Sequence, residues 1–203
     1  MAIPGRRDTK QAGFEMDSAK RKSSIWKNLI FLYLRYILVA LWLVLMFFIV
    51  WFSSKPDTES TEQSMAIGKI VCSFFVNGYE NMSEAAKYEY AAAIDHIVRK
   101  SAHFCEYAAL GALTINASWL FFGYLRMKFK WKGSAYYPLI AAFAWCILFA
   151  TSDEIHQLFV PGRFGSSFDV LIDTIGSVVG IMIPTIIISA HRHAFPPSRK
   201  EDA

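Results

Sequence analysis

Four apolar segments, each close to the length that crosses a bilayer, dictate what this chain can become. They run from Leu29 to Phe52, from about Ala102 to Phe122, from Tyr136 to Phe159 and from Asp169 to about Ala190. A helix rising 1.5 Å per residue needs about 20 apolar residues to span a hydrocarbon core of ~30 Å. Backbone polar groups in lipid must be satisfied within the segment, so each span reads as a helix. The expected fold class is therefore all-α: a polytopic membrane protein with four transmembrane helices in a small bundle. Composition agrees, with 54% hydrophobic and only 19% charged residues, where charged residues make up about a quarter of soluble domains.

Loop charge sets the expected topology, because short loops rich in Lys and Arg stay cytoplasmic. The segment before the first span carries Arg6, Arg7, Lys10, Lys20, Arg21, Lys22 and Lys27, and the short loop from Gly123 to Ala135 carries Arg126, Lys128, Lys130 and Lys132. Ser53 to Ser101 holds five basic residues against seven acids, and Val160 to Phe168 holds Arg163 alone. Both termini are thus expected in the cytoplasm. The chain divides into a basic tail over 1–28, a membrane domain over 29–190 and a second cytoplasmic tail over 191–203, both tails being expected without order. Within the long extracellular loop, 53–101, Met65 to Gly78 and Asn81 to Lys100 carry apolar residues at helical spacing, and Asn81 with Glu84 resembles a capping box. These segments read as interfacial amphipathic helices.

That topology delivers polar residues of three spans to one depth. His103, Glu106 and Tyr107 fall in the first outer turns of span two, with Lys100 just before them; Asp153, Glu154, His156 and Gln157 fall in the last turns of span three; Asp169 and Asp173 open span four, and Arg163 occupies the turn between. Asp169 and Asp173 share a stripe with Gly176 and Gly180, a Gly-x-x-x-Gly pattern that favours close helix packing. Charges at membrane depth cost roughly 3 kcal/mol each at the centre and usually mark function. Five acids (Glu106, Asp153, Glu154, Asp169 and Asp173) meet three cations (Arg99, Lys100 and Arg163) and two histidines. Some carboxyl groups must then carry protons, or something cationic completes the site. Arg163, held by Pro161-Gly162, is expected either to grip Asp153, Glu154, Asp169 or an anionic headgroup, or simply to tie spans three and four together.

The same residues bound the chemistry. His103, Glu106, Asp153 and Glu154 are the catalytic candidates, as acid-base groups; no serine or cysteine stands as a recognisable nucleophile. No metal site is expected, since neither His–Glu pair has zincin spacing, and no cofactor. The three cysteines, Cys72, Cys105 and Cys146, are too scattered for a disulfide framework and read as packing thiols. Nucleic-acid binding has no support in a net charge of +4.

The stretches FFIVWFSSKPDTES, RKSAHFCEYAALG from Arg99, SDEIHQLFVPGR from Ser152 and SFDVLIDTIG from Ser167 resemble, in order, the signatures of the VanZ-like family of bacterial membrane proteins. The resemblance covers roughly Leu29 to Ala190. It implies a ligand-binding set of Lys100, His103, Glu106, Tyr107, Asp153, Glu154, Gln157, Arg163 and Asp169, to which position adds Asp173, where the family usually has asparagine. The family takes its name from a protein that raises resistance to the glycopeptide teicoplanin. The function expected is that of a cell-envelope membrane protein contributing to such resistance, through an outer-leaflet site for a lipid-linked or anionic ligand. A membrane-embedded enzyme acting on a lipid or peptidoglycan precursor and a small proton-linked transporter are the alternatives; against the latter, the inner half of spans two to four is apolar apart from Asn116 and Ser118. Expected partners are membrane lipids, a lipid-linked wall precursor or lipoglycopeptide, and further copies of the chain.

Overall fold

A computed structural model describes residues 6–194. The tail assignments for residues 1–5 and 195–203, including Arg199 and Lys200, lie outside the described residues. Five helices account for nearly all of it: α1 (Arg6–Ser53), α2 (Asp57–Phe75), α3 (Glu84–Phe129), α4 (Tyr137–Gln157) and α5 (Ser167–Ala194), with a single 3-10 turn at Tyr79–Asn81. Four of them contain stretches long and apolar enough to cross a membrane: Arg21–Ser53, Glu84–Phe129, Tyr137–Gln157 and Ser167–His191. The protein is a small polytopic helical membrane protein.

Several boundaries differ from those expected: α2 begins at Asp57, α3 runs on to Phe129 and α5 to Ala194, and two further differences have local reasons. From Arg6 onward the first tail is helical and continuous with span one; its Lys, Arg, Ala, Met and Glu are good helix formers and no proline interrupts them. The second of the two helices expected between spans one and two is not separate. It is the first part of α3, and its N-cap is Ser83, whose side chain accepts from the Ala86 amide, not Asn81. At 1.5 Å per residue α3 measures about 69 Å, more than twice the ~30 Å hydrocarbon core. Its first turns therefore run beyond the spans, where α2 packs antiparallel against them. Gly68 of α2 permits that approach, because an added Cβ would stand 3.3 Å from the Ala91 carbonyl oxygen. Cys72 and Cys146 are buried, as packing thiols should be, but Cys105 is exposed.

The bundle core has two parts. Toward the α2 end, Ile49, Tyr107, Leu110 and Ala150 join α1, α3 and α4; deeper, Ile115, Ala142, Cys146 and Ile181 join α3, α4 and α5. Trp42 Nε1 donates to Thr114 Oγ1 at 2.8 Å, pinning α1 to α3 between the two. The tightest contact is between α3 and α5, made by small residues: Gly176 lies on the backbone of Phe104, Gly180 on that of Ala108, and Gly111 on that of Ser177. The Gly-x-x-x-Gly stripe of span four thus presses against span two, which brings the first turns of α5 against the middle of α3.

Candidate functional site

Helix α4 ends in Ser152-Asp153-Glu154-Ile155-His156-Gln157, and its polar residues diverge around the helix to different partners. Asp153 and Gln157, one turn apart, face the end of α1. Asp153 Oδ2 accepts from Ser53 Oγ at 2.7 Å and from Gln157 Nε2 at 3.2 Å, and Gln157 Nε2 also reaches Ser53 Oγ at 3.3 Å. Glu154 turns toward α5, where its Oε2 accepts the Ser166 amide at 2.8 Å, a carboxylate set at a helix N-terminus where the exposed amides favour it. His156 Nε2 lies 3.0 Å from Ser54 Oγ in an exposed contact. Asp153, Glu154 and Gln157 are all buried.

The α3–α5 seam carries the second group. Lys100 of α3 pairs with Asp169 of α5. One turn deeper, His103 Nδ1 stands 3.8 Å from Asp173 Oδ1, and Asp173 is fully buried. Tyr107 is also fully buried, its ring tilted 48° against that of Phe149 with centroids 6.2 Å apart. The Tyr107 hydroxyl, both Asp173 oxygens, the Ser177 hydroxyl, Asp153 Oδ1 and Glu154 Oε1 make no hydrogen bond among the described residues.

The third group is built by a turn. Val160-Pro161-Gly162-Arg163 closes with the Arg163 amide on the Val160 carbonyl at 3.1 Å, and Gly162 has φ of 76°. Pro at the second position and a positive φ at the third make this a type II turn, which explains the Pro-Gly pair. The Asp57 amide at the start of α2 donates to the Pro161 carbonyl at 3.3 Å, so the turn docks on α2. Arg163 consequently reaches α2, with Nε on the Lys55 carbonyl at 3.2 Å and Nη2 on Ser60 Oγ. It forms no ion pair with Asp153, Glu154 or Asp169 among the described residues. Burial pushes its guanidinium below the ordinary value, opposed by the nearby Asp57, yet an arginine stays charged.

Between the end of α1, α2, α3 and this turn lies a cavity of about 230 Å³. Its polar lining includes Arg163, Arg99, His103, Glu106, Ser60 and Ser64. Arg99 is already engaged, with Nη1 on Asp57 at 2.6 Å and Nη2 on Asp95 at 2.6 Å. The expected residues therefore separate into two sets. Only His103, Glu106 and Arg163 line the cavity; Lys100, Tyr107, Asp153, Glu154, Gln157, Asp169 and Asp173 form the wall and the seam behind it. Of the three cations counted in the sequence, Lys100 alone pairs with one of the five site acids. Among the described residues no group of three or more His, Cys, Asp or Glu side chains is placed to hold a metal ion.

Sequence reasoning missed the α2 contribution. Ser60, Gln63, Ser64 and Ile67 all line the cavity, at the i, i+3, i+4, i+7 spacing of one helix face. That stripe was the available signal, but it begins before the apolar periodicity from which the helix was read.

The model of the VanZ/LLP1 family matches residues 36–188, more than half of the chain. The chain belongs to the VanZ/LLP1 family. No curated protein and no solved structure matches it. The matched region of this VanZ/LLP1 member contains the end of α1, all of α2 and every residue of the cavity. Chemically, the cavity offers a guanidinium with neutral partners, hydroxyl donors, and an imidazole and carboxyl one turn apart on α3.

Proposed function

We propose that this VanZ/LLP1 protein lies in the cell membrane with both termini cytoplasmic, so that the cavity opens near the outer leaflet and binds an anionic headgroup of an envelope lipid or lipid-linked wall precursor. Through that binding it contributes to resistance against glycopeptides such as teicoplanin. The basic residues before span one, in the last turn of α3 (Arg126 and Lys128) and in the α3–α4 loop (Lys130 and Lys132) support the orientation. The observation that carries the ligand class is Arg163: a partly buried guanidinium, lining the cavity, bonded among the described residues only to a hydroxyl and a carbonyl. A phosphate or carboxylate would give it the charged partner it lacks, and a planar fork suits either. The purified protein is expected to retain vesicles containing anionic lipid or lipid-linked precursor. Arg163→Ala should weaken that binding roughly ten- to a hundredfold, the loss of a hydrogen bond to a charged group, and sensitise a host expressing it to teicoplanin. Unchanged binding and unchanged susceptibility in the variant would refute the reading.

One observation favours chemistry in the same cavity: His103 and Glu106 share a face of α3 and both line it, with the Asp173 carboxylate behind His103. A carboxyl and an imidazole so placed can act as base and acid on a bound ester or phosphoester. Under this reading Glu106→Gln leaves headgroup binding intact but changes the lipid profile of the host. Identical profiles with wild type and variant, in a host that remains resistant, would reduce the site to binding alone.

A further inference from the structure

At the opposite end of the bundle the first helix leaves its neighbours. Every α1 residue from Arg21 to Ile37 is exposed, whereas Trp42, Leu45, Met46 and Ile49 pack on α3 and α4. The hydrogen bond from Trp42 to Thr114 marks where contact begins. Below it, α1 and the α3–α4 pair diverge around a crevice of about 580 Å³. Its walls are almost wholly apolar, including Tyr36, Trp42, Phe121, Tyr124 and Trp145, and Trp42 and Trp145 lie with ring centroids 5.7 Å apart at its head. Such a wedge would forfeit dispersion contact along both sides if unfilled.

The rim supplies the second observation. Lys128 Nζ stands 5.3 Å from the centroid of the Tyr124 ring, itself a wall of the crevice. On α1, Lys27 lies about 7.5 Å along the axis from Leu32, which lines the same crevice. Arg35 is exposed one residue before Tyr36. Apolar walls under a basic rim suit a phospholipid with an anionic headgroup.

We propose that this crevice is a binding site for an anionic phospholipid, one acyl chain lying between α1 and the α3–α4 pair and the headgroup resting on Lys128. Trp42 and Trp145 contact the chain; Lys128 selects the charge. Neither orientation of the bundle alters the site, because the basic rim and the crevice belong to the same end of α3. It is also independent of the Arg163 cavity, which shares no lining residue with it.

The full chain reconstituted in phosphatidylcholine vesicles tests this directly. A minor fraction of lipid brominated along its acyl chain is added, carried either on phosphatidylglycerol or on phosphatidylcholine. The signal of Trp42 and Trp145 is obtained as the difference between wild type and a Trp42→Phe/Trp145→Phe variant. Brominated phosphatidylglycerol should quench it at roughly fivefold lower mole fraction for each basic residue engaged, as expected near a charged surface. Lys128→Glu, a change at an exposed position, should bring the two lipids level, and Ala117→Leu, narrowing the crevice, should weaken quenching by both. Equal quenching of wild type by the two lipids would overturn the proposal in favour of unselective boundary lipid. Protection that grows with protein density would overturn it in favour of a second copy of the chain filling the wedge.

Discussion

Gly180→Leu is expected to abolish the folded bundle, with purified protein either failing to emerge from detergent as a single species or melting far below wild type. A Cβ at this position would stand 2.7 Å from the Ala108 carbonyl carbon and closer still to its oxygen. Both are backbone atoms of α3, so no flexible side chain can move aside. Overpacking a core costs typically 1–3 kcal/mol when side chains can shift; here α3 and α5 must part along the seam, and the cost should exceed about 3 kcal/mol. The matched control is Gly123→Leu on α3, where an added Cβ meets nothing within 4 Å. That variant should melt within a few degrees of wild type. If Gly180→Leu melts like Gly123→Leu, the close α3–α5 contact does not exist in the membrane.

The glycine pair illustrates what a sequence discloses in a bundle like this. Gly176 and Gly180 announce a close helix contact, because lipid offers small residues no other advantage at that spacing. They do not say which helix lies opposite; that depends on Gly111 and on the backbone of Phe104 and Ala108, which carry no pattern of their own. The same limit applies to the charges. Arg163 is visible as a cation at the mouth of a span, and its turn is visible in Pro161-Gly162. Its partner was not, since the turn docks on α2 and the position of α2 follows from tertiary contacts between Asp57 and Pro161 and between Gly68 and Ala91. Polar residues drawn together by membrane depth alone proved to face three directions, because depth fixes one coordinate and helix rotation fixes the others.

Lys100 tests how the acid-rich seam is held. It is the single lysine or arginine paired with a site acid among the described residues, and its partner Asp169 opens the helix whose next turn carries the fully buried Asp173. Glu106, Asp153 and Glu154 contribute further carboxyl groups in adjoining turns. Lys100→Met should therefore cost more than loss of an exposed ion pair, which is worth about 0–1 kcal/mol. Side chains of Lys100 and Asp169 are only 25% and 20% exposed, so removing the cation leaves an acid with little solvent among other acids, a loss approaching ~3 kcal/mol. Lys100→Met combined with Asp169→Asn should recover most of that stability, because the pair leaves together and no charge is stranded. Melting of the two single variants and the double variant in one detergent completes the cycle. Additive losses, with the double variant as unstable as the sum of the singles, would mean that Lys100 and Asp169 stabilise the seam separately and that its acids are balanced elsewhere.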